Sequence, residues 1–178
     1  KGAVFLNQLR YIVGEESFWK GIRNYYARWA FGHPDGDDFI LCMEKASGIQ
    51  LKWYLDLWTK TNNVIDYAIG NIKKDGTGTN IQILNKGSLA MPWDIRITLT
   101  DGTKNNYNIP LVSMYGHKTA PDMITLPAWG WTNPEYLLNI PTTYETIDKI
   151  EIDPEKDLMD LRPENNLVKL PGTNKLKR

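Results

Sequence analysis

The stretch TNNVIDYAIGNIKKDGTGTNIQIL (residues 61–84) divides the chain into two kinds of pattern. Upstream of Thr61, apolar residues recur at helical spacing. Downstream, Ile65, Tyr67 and Ile69 alternate with other residues, Asp75-Gly76-Thr77-Gly78 has the composition of a tight turn, and Ile81-Gln82-Ile83-Leu84 resumes as a strand. A period of 3.6 changes to a period of 2 within a few residues, and each period commits the chain to a different kind of buried face.

The helical side, residues 1–62, breaks into four segments. Phe5, Leu9 and Ile12 form one stripe, ended by Gly14. Phe18, Ile22, Tyr25, Tyr26 and Trp29 form a second after the acidic start Glu15-Glu16, which suits the positive end of a helix. A third is expected to be capped by Asp37 or Asp38, with Phe39, Met43 and Ala46 inward and Gly48 as C-cap. Leu51, Tyr54, Leu55 and Trp58 give a fourth. Short helices joined by short loops pack as a compact bundle. The first segment is apolar around most of its circumference (Val4, Phe5, Leu6, Leu9, Tyr11, Ile12, Val13), the pattern of a helix buried on all sides.

On the strand side, residues 63–161, Trp93, Ile95, Ile97 and Leu99 alternate with Asp94, Arg96 and Thr98 up to Asp101-Gly102. Tyr107 to Val112 is expected to pair with that strand, and Ile147 to Ile152 is a further one. The fold class expected is α+β: a small helical lobe followed by an antiparallel β-sandwich, immunoglobulin-like in its strand spacing. Residues 113–145, punctuated by Pro and Gly, have no assigned role. Residues 162–178 read as a polar, loosely held tail.

Composition excludes little. The 178 residues carry 21 basic and 21 acidic side chains, so net charge gives no basis for nucleic-acid binding. No apolar run is long enough to span a bilayer. The single cysteine, Cys42, allows no internal disulfide.

The most site-like stretch is FGHPDGDDFILCMEKASG (residues 31–48), with a histidine, four acidic residues and Cys42. Its acids are accounted for by helix punctuation, and one histidine on a turn supplies one metal ligand where several are needed. Asp153, Glu155, Asp157 and Glu164 share some spacings of a calcium loop, but Leu158 stands where that loop needs glycine, and Pro154 and Pro163 intrude. His117 has no partner pattern, and Cys42 reads as a small core residue. Trp129 and Trp131, flanking Gly130, are the candidate ligand or interaction patch, with plugging of one end of the sandwich as the competing role. No catalytic residue and no metal ligand is assigned.

An ordered series of features in residues 1 to about 70 resembles the aminopeptidase N family of zinc metallopeptidases. These are Lys1-Gly2-Ala3, Val13-Gly14-Glu15-Glu16, the Phe18-Trp19-Lys20-Gly21 turn, Tyr25-Tyr26, Phe31 with the Asp37-Asp38-Phe39 helix start, MEKASG at 43–48, and the helix from Leu51 to Trp58. The resemblance implies a helical C-terminal subdomain of a catalytic domain, followed by a β-sandwich. It also implies that catalysis lies elsewhere in such a protein. The family's H-E-x-x-H zinc motif is absent here, and Lys1-Gly2 matches only the end of its Tyr-x-Lys-Gly motif. The implied role is a non-catalytic part that braces the cleft of an enzyme releasing residues from peptide N-termini. Zinc would belong to that enzyme and not to this chain, and the partners would be the upstream catalytic region and, in the whole enzyme, a peptide substrate. Many members are secreted or face outside the cytoplasm, and the resemblance leans the same way. The alternative is a sandwich that binds glycan or protein through Trp129 and Trp131.

Overall fold

The computed structural model describes residues 2–170. Four helices come first: α1 (Gly2–Val13), α2 (Glu15–Trp29), α3 (Gly36–Ser47) and α4 (Lys52–Lys60). Gly14 separates α1 from α2 because its φ of 81° turns the chain where a side chain would be strained. Gly48 closes α3 in the left-handed conformation, its N–H donating to the carbonyl of Glu44.

The cap of α3 differs from expectation. Neither Asp37 nor Asp38 is the N-cap; Asp35 is. Its carboxylate accepts from the Asp38 N–H at 3.0 Å, while Asp38 returns a bond from the Asp35 N–H at 3.2 Å. This reciprocal arrangement needs the cap at extended φ and its partner three residues on. Gly36 is the first helical residue. Asp37 instead pairs with Lys52 at 3.0 Å. Asp35→Ala is therefore expected to cost about 1–2 kcal/mol, and Asp37→Ala, at an exposed ion pair, under about 0.5 kcal/mol. Thermal denaturation of both variants checks the ranking; equal losses would contradict it.

Among the described residues, eight strands follow, in two sheets. One sheet has the order β1-β2-β6, from Tyr67–Asp75, Gly78–Asn85 and Glu135–Ile140. The other has the order β5-β4-β3-β7-β8, from Met123–Thr125, Lys104–Ile109, Trp93–Leu99, Ile147–Ile152 and Leu167–Lys169. Ile81 lies opposite Leu138, and Ile95 opposite Tyr107 and Ile152, so alternate residues supply the core face. Both sheets and the helices share one apolar core.

The expectation of a purely antiparallel sandwich is corrected at one edge: β5 runs parallel to β4. The chain leaves β4, passes through a short 3-10 turn at Val112–Met114, and returns to the same sheet edge at Met123, a crossover long enough to reverse direction. The unassigned stretch 113–145 thus contributes β5 and β6. The expected loose tail is corrected as well: Leu167–Lys169 form β8 against β7. Of that segment, residues 171–178 lie outside the described residues.

One local feature is costly. Phe31, just past the end of α2, has φ 65° and is fully exposed. For a residue bearing a Cβ, that conformation costs roughly 1–2 kcal/mol.

Candidate functional site

Two features stand out: an apolar groove on the helical lobe, and a buried polar junction joining that lobe to the sheets.

The groove, about 700 Å³, is lined by Phe5 and Leu6 of α1, Tyr25 of α2, Phe39 of α3, and Leu55 and Trp58 of α4. Aromatic packing sets its floor. The ring of Tyr54 is fully buried and stacks on Phe5 at 4.9 Å and on Trp58 at 5.7 Å, and its hydroxyl donates to the Phe5 carbonyl at 2.7 Å. Burial holds the Tyr54 phenol well above its ordinary pKa, so it stays protonated and donating. Tyr25 meets Phe39 edge-on at 5.1 Å. In the groove wall, the indole N–H of Trp58 is buried without an acceptor. Although α1 is apolar around most of its circumference, one side has no partner within this chain: Leu9, Tyr11, Ile12 and Val13 are buried, but Leu6 is 38% exposed. The four helices leave one side of the first turns open.

The junction lies at the other end of α1. The Asp94 N–H on β3 donates to the Tyr11 hydroxyl at 2.9 Å. The Asp94 carboxylate accepts from Lys118 and from Asn108, each at 2.7 Å. The Lys118 ammonium also sits 3.8 Å from the centre of the Tyr11 ring. Burial, with the Asp94 charge adding to it, pushes the Tyr11 phenol well above its usual range. Gln8 extends the junction, donating to the Asp157 carbonyl at 2.5 Å. That carbonyl belongs to a loop organised by Asp153, whose two carboxylate oxygens accept from the N–H groups of Asp157 and Leu158 at 2.9 and 2.8 Å.

Asp153 gives the junction a pH dependence. Its burial raises the carboxyl to about 6; the Leu158 and Asp157 N–H bonds oppose this, while the Asp157 and Asp94 charges reinforce it. The folded state then holds a proton that the unfolded state has released, between an ordinary carboxyl pKa and about 6. The stabilisation is complete below the unfolded pKa and is lost as pH rises through about 6. Asp153→Asn should flatten stability by roughly 1–3 kcal/mol across that window. Denaturant unfolding at pH 4, 5, 6 and 7 checks this. An unchanged slope in the variant would contradict it.

The residues singled out in the sequence fall elsewhere. His33 is exposed on the turn before α3, His117 is exposed on the loop before Lys118, and Cys42 is buried in α3. Asp153 and Asp157 meet in the junction loop, where the Asp153 carboxylate accepts from the Asp157 N–H. Trp129 is buried, its ring 6.0 Å from Tyr67, whereas Trp131 is 42% exposed, so only one of the pair reaches solvent. Sequence reading missed Tyr11, Asp94, Asn108 and Lys118 as a group. Residues so distant along the chain carry no local signal of meeting.

The described residues form four helices and two sheets, with an open apolar groove on the helical lobe. Comparison with known proteins gives the family relation. No family model matches. The chain is 41% identical over 64 residues to aminopeptidase N of Streptomyces lividans, covering 36% of this chain and 8% of that protein. It is 26% identical over 163 residues to tricorn protease-interacting factor F2 of Thermoplasma volcanium, covering 76% of this chain and 21% of that protein. It is 25% identical over 154 residues to glutamyl aminopeptidase of Bos taurus, covering 82% and 16%. The chain is thus partly homologous to the M1 aminopeptidases and spans only a minor share of the length of these relatives.

M1 aminopeptidases are zinc enzymes. Among the described residues, no three His, Cys, Asp or Glu side chains are placed to hold a metal ion. The described donor set does not fit a zinc centre.

Proposed function

We propose that this chain is a non-catalytic C-terminal region of a zinc-dependent aminopeptidase that hydrolyses peptides from the N-terminus. The upstream catalytic region of the same polypeptide would fill the groove of the helical lobe, and the sheets would brace that lobe as a β-sandwich. The observation that carries this reading is the groove itself. Six apolar or aromatic side chains from four helices converge on it, and Leu6 is open to water within it. Contiguous apolar surface of this kind marks an interaction site. The partial homology to M1 aminopeptidases supports placing that partner in such an enzyme.

The junction supports the bracing role. α1 reaches from the groove, at Phe5 and Leu6, to the sheet, at Tyr11. A segment packed in the groove is therefore held at a fixed distance from β3 through one rigid helix. Peptide substrate and zinc chemistry would belong to the upstream region.

The test uses the polypeptide that extends upstream of these residues. It is expected to hold about one zinc per chain and to hydrolyse an aminoacyl-anilide in a chelator-sensitive way. Leu6→Asp with Leu55→Asp should lower that activity at least tenfold by placing charge in the apolar interface. Residues 1–178 alone should be inactive. Hydrolysis by residues 1–178 alone, or full activity in the double variant, would contradict the proposal.

A further inference from the structure

The end of β7, the loop that follows it and the start of β8 line a cavity of about 360 Å³ that shares no residue with the groove. Leu158, Met159 and Leu167 give it an apolar wall, and Asp153, Asp160 and Asn166 a polar one. Neighbouring acids have cationic partners: Glu151 pairs with Lys149 at 2.8 Å, Glu155 with Arg96 at 2.7 Å and Asp94 with Lys118 at 2.7 Å. Among the described residues, Asp153 and Asp160 have none. Asp153 is only 7% exposed, and burial raises its carboxyl to about 6, opposed by its two N–H bonds and by no cation. Asp160 accepts from the uncharged N–H groups of Tyr67, Arg162 and the Asn166 side chain, at 2.9, 2.8 and 3.0 Å. Asn166 adds an independent sign of a ligand. It is 5% exposed, and donation from its Nδ2 to Asp160 fixes which end of the amide is which. Its Oδ1 is then buried with no donor among the described residues. A buried carbonyl oxygen without a donor, beside two carboxylates without a cation, calls for a donor that carries positive charge.

We propose that this cavity binds an alkylammonium group of the lysine side-chain class, its charge against Asp153 and Asp160 and its methylene stem on Leu158, Met159 and Leu167. An ammonium presents three donors and no acceptor, which matches two carboxylates and the Asn166 Oδ1. A long aliphatic stem suits the apolar wall in the same way that lysine stems lie along apolar surface elsewhere. Water is a poorer occupant, because it leaves both carboxylates without a counter-charge. A metal ion is poorer as well, since no three His, Cys, Asp or Glu side chains among the described residues are placed to hold one. Lys156 also lines the cavity, but it is exposed and forms no ion pair among the described residues, so its charge opposes a bound ammonium without substituting for it. The same chemistry has two sources: a separate amine or lysine-bearing peptide, and Lys175 or Lys177 of this chain, which lie outside the described residues.

The probe is lysine capped at both ends, N-acetyl-lysine methylamide, and the control is N-acetyl-norleucine methylamide, which keeps the stem and lacks the ammonium. Amide NMR spectra of the full chain are recorded at pH 7 as each is added. The lysine compound should shift residues 151–167 and bind at least about tenfold more tightly than the control. Asp153→Asn should weaken it by about tenfold. Lys156→Ala, at an exposed position, should tighten it by about threefold by removing a like charge. Lys175→Gln with Lys177→Gln distinguishes the sources. Tighter probe binding in that variant assigns the cavity to the chain's own lysines, and unchanged binding assigns it to a separate amine. Equal binding of the two compounds, or binding that is indifferent to Asp153→Asn or weakened by Lys156→Ala, would overturn the proposal. So would the absence of shifts at 151–167 in both the parent and the double glutamine variant, or calcium shifting those residues where the lysine compound does not. None of these outcomes bears on the groove, whose test is zinc-dependent activity in the longer polypeptide.

Discussion

Asp94→Ala is expected to lower stability by about 3–5 kcal/mol, the usual cost of leaving a buried charge without its partner. Asp94 and Lys118 are each only 13% exposed and lie 2.7 Å apart. Without the carboxylate, the Lys118 ammonium keeps only the face of the Tyr11 ring, and Asn108 loses its acceptor. Lys118→Met should cost less, because Asn108 still donates to Asp94 and the Met side chain fills much of the lysine stem's volume. The double variant should recover most of the loss, since the buried charge is then gone from both sides. Denaturant unfolding at pH 7 gives the four corners of this cycle. If the losses simply add, the pair is not coupled and the junction is not held by charge.

Tyr54→Ala is expected to cost a similar amount, about 3–5 kcal/mol, through loss of a fully buried aromatic ring. Tyr54 lies between Phe5 and Trp58, so the cavity opens directly beneath the groove. Tyr54→Phe keeps the ring and removes only the bond to the Phe5 carbonyl, so it should cost about 1 kcal/mol. The comparison separates packing from hydrogen bonding. Equal losses in the two variants, read from unfolding curves, would show that the hydroxyl and not the ring holds the lobe.

Much of the fold was legible in the sequence because local rules and tertiary packing agree there. Gly14 and Gly48 end helices in conformations that glycine adopts freely, and Asp75-Gly76-Thr77-Gly78 closes the β1–β2 hairpin where its composition says it should. Reading failed where short elements depend on distant partners. β5 and β8 have three residues each, too few to show a period, and exist because β4 and β7 offer free edges. The cap was misplaced by two or three residues because several neighbouring aspartates suit that position, and only backbone geometry selects Asp35.

The candidate site was legible in part. Phe5, Tyr25, Phe39, Leu55 and Trp58 all belonged to apolar stripes, but a stripe does not say whether a neighbour covers it. The open groove arises because four short helices cannot cover every apolar side of one another. The junction was invisible for another reason: Tyr11, Asp94 and Lys118 come from a helix, a strand and a loop, and each alone has an ordinary local role.

Transplantation tests most directly the claim that the groove receives the catalytic region of an aminopeptidase. Residues 1–62 of this chain replace the corresponding helical segment in aminopeptidase N of Streptomyces lividans, and hydrolysis of an aminoacyl-anilide is measured with zinc content. The account predicts a folded, zinc-loaded chimera that keeps activity within about tenfold of the parent. It also predicts that Leu6→Asp with Leu55→Asp removes that activity through the interface, without touching a metal ligand. A chimera that is folded and zinc-loaded, and whose activity is indifferent to both groove substitutions, would contradict the claim.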